Sequence, residues 1–415
     1  MMTNDQADDW SPMRPPRLHI AVVTETWPPE VNGVARTIAT MVDGMRARGH
    51  RISLTRPRQY PRDRESDSQN FRERLVTALP LPGYPSLRFG LPAAHALRAA
   101  WLVDRPDIVQ VVTEGPLGAS AVTAAQRLGI PVVTEFHTHF DAYSGYYRMG
   151  WLQRIVAAHL MRLHRRSNAT LVPTAELAAS LSARGVSNPQ VVARGIDTRR
   201  FNPQARNAAL RATWGASNDT PVVAYVGRVA AEKNLALVFD AFDAIARRVP
   251  SARLLIVGDG PARASWQARY PQHLFAGMRS GTDLAAHYAS ADLFLFPSLT
   301  ETYGNVTLEA LASGLPVVAY RQAAAAEVIA SGENGYVATP GDAADFIRAA
   351  VALAAAPVAS PDWRARIVAS VAHLSWDAIF DTLESTLRMV IARQSPYRPM
   401  PRALPLLHSS GGGQP

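Results

Sequence analysis

The stretch Leu18-His19-Ile20-Ala21-Val22-Val23-Thr24 decides the fold. It is a continuous apolar run, the pattern of a strand buried on both faces of a parallel sheet. A loop with Pro28, Pro29, Asn32 and Gly33 follows, then a helical stretch that stops at Gly49. Further strands are expected at 52–55, 108–112, 132–136, 170–173 and 190–193, mostly with helical segments between them, such as 119–128 ending at Gly129. Such alternation implies a parallel sheet covered by helices on both sides.

The pattern pauses over a polar stretch with Asn202, Pro203 and Asn218, so 197–220 is expected to link two domains. A second series opens at 222–226 and continues through 254–257, 273–276, 293–296 and 317–320. The expectation is an α/β chain of two tandem Rossmann-like, doubly wound domains, 17–196 and 221–374. Their ligand cleft should lie between the carboxyl ends of the strands. The ends, 1–16 and 394–415, are expected to be tails, the second rich in proline, glycine and serine. The charged stretch 56–74 is expected to be a mobile loop.

Composition narrows the function. The chain has 415 residues, 47% of them hydrophobic, enough for two cores. No apolar run reaches the roughly 18 residues that a bilayer span needs. The acidic, polar start is unlike a secretory signal. With no cysteine, disulfides, thiolate zinc sites and thiol nucleophiles are excluded. Together these point to the cytoplasm. A net charge of +9 suits a phosphorylated ligand, an anionic membrane or nucleic acid. Nucleic acid is the weakest of the three, because no zinc finger, no ribonucleoprotein-type aromatic motif and no basic run with interleaved aromatics is present.

Two segments carry chemistry. Pro297-Ser-Leu-Thr-Glu301-Thr-Tyr303-Gly304-Asn305-Val306-Thr-Leu-Glu309-Ala310 follows a buried strand. Gly304 breaks the chain before a short helix, about 305–313, that Gly314 stops. The start of that helix presents free N–H groups and a positive dipole end, which suits a diphosphate. Glu301 and Glu309 flank it and would accept hydrogen bonds from vicinal hydroxyls; the plainer alternatives are a cap and an ordinary helix acid. The second segment, Gly227-Arg228-Val-Ala-Ala-Glu-Lys233-Asn234, holds the one lysine of the chain. A compact ammonium five residues after an arginine is suited to clamping phosphate, although a solvated surface lysine has the same pattern.

With the loop Pro29-Glu-Val-Asn32-Gly33-Val34, these segments resemble family 4 of the retaining, nucleotide-sugar-dependent glycosyltransferases, over nearly all of residues 18–393. The resemblance implies two Rossmann-like domains facing a cleft, the GT-B arrangement, with 375–393 crossing back onto the first domain. It implies that Arg228 and Lys233 hold the donor diphosphate, Glu309 the ribose hydroxyls and Glu301 the donor sugar. The backbone from Tyr303 to Val306, with Gly227, would meet sugar and phosphate. His137 of Phe136-His-Thr would approach the transferring centre, and Arg194 of Arg-Gly-Ile-Asp would face phosphate. Asn32, Gly33 and Val34 would line the donor side; the family usually has two glycines where this chain has Asn32-Gly33, and asparagine tolerates left-handed geometry. Glu114, Asp141, Tyr143 and Tyr146 would shape the acceptor side, though loop packing or capping explains them equally well.

His137 and His139, an i, i+2 pair, also suit a metal, but no third ligand follows at familiar spacing, so none is assigned. No Asp-x-Asp occurs in the chain, and no G-x-G-x-x-G follows the first strand, so neither a metal nor a dinucleotide cofactor is expected. The motifs are most similar to lipid-directed mannosyltransferases that use GDP-mannose; enzymes that use UDP-sugars share most of them. A lipid or glycan acceptor follows from that likeness. Residues 148–166 combine an apolar stripe with Arg154, Arg162, Arg165 and Arg166, which suits either a peripheral contact with anionic lipid or packing on the sheet. A sugar-nucleotide epimerase or hydrolase, or a non-catalytic sugar-binding protein, are the rival readings.

Overall fold

The computed structural model describes residues 16–30, 33–81, 84–137, 150–301, 303–356 and 360–394. The opening apolar run becomes the strand His19–Val23, buried along its whole length. It lies inside an eight-stranded sheet ordered Pro189–Val191, Ala169–Val172, Val132–Glu135, Ile108–Val111, His19–Val23, Arg51–Pro57, Phe71–Val76 and Asp67–Ser68. All its pairings are parallel except the last, which is antiparallel. A second, six-stranded sheet is parallel throughout, ordered Leu274–Gly277, Arg253–Val257, Val222–Val226, Leu293–Phe296, Val317–Tyr320 and Gly335–Ala338. The fold is α/β, with two Rossmann-like halves.

Why the strands are continuously apolar follows from the packing. Ile20 and Val22 face one core, shared with Ile38 and Met41 of the helix Gly33–Ala47. Ala21 and Val23 face the other, shared with Leu117 and Ala121 of the helix Pro116–Leu128. Both faces of one strand are therefore spent on burial. The long helix Trp376–Gln394 adds Ile379, Phe380, Leu383 and Leu387 to the first of these cores. No helix among the described residues is long and apolar enough to cross a membrane.

In each sheet the winding reverses at one place, between His19–Val23 and Ile108–Val111 in the first and between Val222–Val226 and Leu293–Phe296 in the second. At such a reversal the crossover helices diverge to opposite faces, and the carboxyl ends of the two strands open onto a crevice. The chemistry-bearing loops of the second half follow these two strands.

Three features differ from expectation. Residues 56–74 are only partly a loop: Arg56 and Pro57 end one strand, Asp67–Ser68 and Phe71–Val76 form two more, and Phe71 lies opposite Ile52. Three of the charges in this stretch are buried and neutralise one another, while most of the others face solvent. Buried Arg56 donates to both oxygens of Asp63, at 2.6 and 2.9 Å, and to Glu73 at 2.6 Å, the bidentate geometry in which an arginine tolerates burial. Residues 197–220 carry a short helix, Ala208–Thr213, and give Phe201, Trp214 and Ala216 to the core of the second sheet. Gly335–Ala338 adds a sixth, edge strand that the apolar pattern did not announce.

The helix Trp376–Gln394 is fastened electrostatically as well as by packing. Arg48 pairs with Asp381 at 2.5 Å, and Glu384 lies 3.3 Å from His50 Nε2 and 2.7 Å from Arg388. Burial favours the protonated form of Glu384, but hydrogen bonds from Arg388 and His50 outweigh it and hold the carboxyl below its usual 4.5. A folded-state pKa below the unfolded one stabilises above the unfolded value and is lost as pH falls through the folded one. Glu384→Gln is therefore expected to melt at a lower temperature than the parent chain at neutral pH. The two midpoints should converge as pH drops below the glutamate range, read by circular dichroism.

Candidate functional site

Gly227 and Lys233 follow one strand of the second reversal, and Ser298 and Glu301 follow its neighbour. The first loop rises from Val222–Val226 and ends in a single 3-10 turn, Ala231–Lys233. Lys233 Nζ ion-pairs with Glu301 Oε1 and lies 3.5 Å from Ser298 Oγ, which donates to the same carboxylate oxygen at 2.8 Å. The pair is only partly buried, 17% and 18% exposed, so it remains open to a ligand. An ammonium has three donors and can keep the carboxylate while taking a second anion. Arg228 is more open still, 62% exposed, and touches Glu232, four residues along the chain, at 3.4 Å.

Beside this pair the helix Asn305–Ala312 begins. Gly304 stands in front of it at φ +85°, a left-handed conformation that glycine adopts without strain and that turns the helix start back toward the loop. Among the described residues no side chain takes up the N–H groups of Asn305 and Val306. The helix start is thus free to meet an anion.

Glu309 lies inside the same helix and is buried. Its Oε2 accepts from Tyr288 Oη at 2.9 Å, and its Oε1 is 4.0 Å from Arg36 Nη1, on the first helix of the other half. Burial pushes the Glu309 carboxyl up, opposed by the Tyr288 hydrogen bond and by Arg36. The phenol of Tyr288 is pushed well above its usual range by burial and by Glu309.

Arg194 and Tyr303 meet where the two halves touch. Arg194 Cζ lies 5.8 Å from the centre of the Tyr303 ring, and Tyr303 Oη donates to the Arg194 carbonyl at 3.4 Å. Burial lifts the Tyr303 phenol to about 12 and lowers the pKa of Arg194. Arg194 Nη2 donates to His137 Nδ1 at 3.1 Å, and His137 Nε2 is 2.8 Å from Glu135 Oε2. A Cβ built on Gly33 would lie 3.7 Å from Arg194 Nη1, so the arginine sits at the start of Gly33–Ala47. Val34 packs against the first core. The structure thus joins His137, Arg194, Tyr303 and Gly33 in one contact set, and Lys233 and Glu301 in another.

Glu114 is buried, its Oε1 3.4 Å from Nε2 of the fully buried His164. Asn32, His139, Asp141, Tyr143 and Tyr146 lie outside the described residues, as do the side chains of 150–157.

Sequence reasoning passed over Tyr288, Arg36, Glu135 and Glu25. Glu25 follows the first strand and is buried at the first reversal, its Oε1 accepting from Leu117 N at 2.9 Å and its Oε2 from Gly90 N at 2.5 Å. Burial raises its carboxyl against those hydrogen bonds. Gly115 makes room for it: a Cβ there would fall 2.1 Å from Glu25 Oε1. Its position at the end of a buried strand was the available signal.

Comparison with known proteins bears on this arrangement. Residues 220–356 match the family described as Glycosyl transferases group 1, and residues 31–200 match Glycosyltransferase Family 4. The chain is similar to a GDP-mannose-dependent alpha-mannosyltransferase of Mycobacterium tuberculosis, 35% identical over 73% of this chain and 79% of that one. A protein of the same name in Mycolicibacterium smegmatis is 31% identical over 91% and 99% of the two chains. The sulfoquinovosyl transferase SQD2 of Arabidopsis thaliana is 32% identical over 65% of this chain and 54% of its own. Among solved structures, sucrose-phosphate synthase from Thermosynechococcus elongatus shares the fold, with a TM-score of 0.74 at 19% identity over 91% of this chain and 100% of that one.

The architecture is accordingly that of the two-domain GT-B transferases of sugars. Within that class the chain belongs to glycosyltransferase family 4, and it is a glycosyltransferase.

Tyr288→Phe removes the hydroxyl that, among the described residues, serves buried Glu309 Oε2. It is expected to lower stability by about 1–3 kcal/mol, the cost of a buried acceptor left unmet, measured by urea unfolding at neutral pH.

Proposed function

We propose that this glycosyltransferase moves a hexose, mannose, from GDP-mannose to a lipid or glycan acceptor, retaining the anomeric configuration and using no metal ion. The observation that carries the reading is the Lys233–Glu301 pair beside the free start of Asn305–Ala312, at the reversal of the second sheet. A cation, a hydroxyl-seeking carboxylate and an anion-seeking helix end stand together there, the chemistry that a sugar diphosphate presents in one molecule. The similarity to two proteins named for GDP-mannose supports guanine and mannose; a UDP-sugar donor is the alternative, in keeping with the likeness to a sulfoquinovosyl transferase.

In this reading Lys233, Arg228, Gly227 and the backbone from Gly304 to Val306 hold the diphosphate, and Arg194 lends positive charge from the facing half. Glu301 takes the sugar hydroxyls and Glu309 the ribose hydroxyls, displacing Arg36 from its free oxygen. His137, Tyr303, Asn32, Gly33 and Val34 line the remainder, and Glu114, Asp141, Tyr143 and Tyr146 lie toward the acceptor. As the bond from the anomeric carbon to the diphosphate breaks, the acceptor oxygen bonds to that carbon from the same face. The departing phosphate oxygen takes the acceptor proton. Leaving-group charge is met by preorganised donors, Lys233 and Arg228 foremost. A trapped covalent glycosyl-enzyme would overturn this front-face step.

Lys233→Ala is expected to lower turnover of GDP-mannose by about a hundredfold or more while leaving the melting temperature within a few degrees of the parent. Lys233→Arg should also be slow, because a planar fork replaces a compact charge. The assay is GDP release with and without membrane lipid extract. Release that depends on the extract supports transfer, whereas conversion of the donor without an acceptor points to an epimerase or hydrolase. Near-normal turnover in Lys233→Ala would return this residue to the surface.

We further infer peripheral contact with the inner face of a membrane through the basic helix Gly150–Arg165. Replacing Arg154, Arg162 and Arg165 by glutamate should abolish cosedimentation with anionic liposomes; unchanged binding sinks this contact.

A further inference from the structure

We propose that Arg36 is a donor-binding residue supplied by the first half: it rests on Glu309 until the ribose hydroxyls take that carboxylate, and then passes to the donor's phosphates. The inference rests on the donor placement given under Proposed function.

Arg36 follows Gly33 by three residues in the helix Gly33–Ala47, so the two share a face. That face looks toward the second half, because Gly33 lies beside Arg194, whose carbonyl accepts from Tyr303. Arg36 Nη1 reaches to 4.0 Å from Glu309 Oε1, on the helix Asn305–Ala312. Among the described residues its guanidinium has no other partner.

The two ends of this contact are unlike. The Glu309 side chain is 10% exposed and its other oxygen is taken by Tyr288, whereas Arg36 is 64% exposed. Burial raises the Glu309 carboxyl, and the Tyr288 hydrogen bond, Arg36 and Arg200 oppose it. A buried carboxylate needs a partner. An arginine this open gains little by staying, since water and salt screen the pair. A hydroxyl that donates to Glu309 Oε1 can therefore replace Arg36, and the guanidinium is released.

The next anion is close by. Glu309 follows Asn305 by four residues, about 6 Å of helical rise. Helical side chains lean toward the N-terminus, so the Glu309 carboxylate leans back toward the amides of Asn305 and Val306. A diphosphate seated on those amides stands beside the arginine that the ribose releases. The planar fork suits phosphate oxygens. Lys233 brings its charge from the second half and Arg36 from the first, so one donor joins both. A ligand with a ribose and no phosphate breaks the ion pair and gives Arg36 nothing in return.

Isothermal titration calorimetry of the full chain with GDP and with guanosine tests this exchange. Arg36→Gln keeps the length and loses the charge; it is expected to weaken GDP binding by about tenfold or more, as the loss of a charge-assisted hydrogen bond does, and to leave guanosine binding no weaker. Arg36→Lys should recover part of the GDP affinity. Because Arg36 is exposed, both variants should melt with the parent chain, read by circular dichroism. GDP affinity that is unchanged or tighter in Arg36→Gln makes Arg36 only an occupant of the ribose seat and overturns the proposal. A loss shared equally by guanosine overturns it too, and where guanosine is too weak to titrate, equal losses in the lysine and glutamine variants do the same. UDP and uridine are titrated alongside, so that a parent chain preferring uracil has the exchange read on that pair. A parent that binds neither diphosphate overturns the donor reading and the role of Arg36 with it; parent binding that Arg36→Gln leaves intact sinks Arg36 alone.

Discussion

A parallel sheet wound in both directions from its middle must leave one crevice uncovered, and the architecture of this protein depends on that constraint. Covering helices diverge on either side of the two central strands, so the loops at their carboxyl ends face each other without an apolar layer between them. Elsewhere most strand residues are buried, in two cores and a small third cluster for the first sheet and one large cluster for the second. The crevices are where this fold tolerates Lys233, Glu301 and Glu25 beside packed strands.

Much of this was legible in the sequence because burial on both faces leaves a local trace. Val222–Val226, Leu293–Phe296 and Val317–Tyr320 fall where continuous apolar runs place them. Phe71–Val76 escaped because its buried and exposed residues alternate, and Arg72, Glu73 and Arg74 mask the two apolar ends. Gly335–Ala338 escaped because four residues beginning with glycine, at the edge of a sheet, carry little pattern.

The candidate site divides along similar lines. Lys233, Glu301 and Gly304 each follow a recognisable strand, so their neighbourhood could be inferred from chain order. Tyr288 could not: it lies on a different helix from Glu309, 21 residues earlier, and only the packing of the two helices joins them. Arg36 belongs to the other half altogether. Glu135 is the instructive omission. The i, i+2 spacing that drew attention to His137 and His139 applies equally two residues upstream, where a glutamate closes a buried strand. A charged residue at the last position of an apolar run therefore merits the same scrutiny as the loop beyond it.

Glu25 gives the two halves of the molecule different standing. Each sheet builds the same device at its reversal, a helix whose first amides point into the crevice. In the first half the chain occupies that seat with a side chain of its own, Glu25 resting on the amide of Leu117. In the second half the corresponding amides, at Asn305 and Val306, are left open. Two similar helix starts are thereby made unequal by one buried carboxylate. One helix start is met by a carboxylate of the chain itself, and, among the described residues, the start at Asn305 has no such side chain.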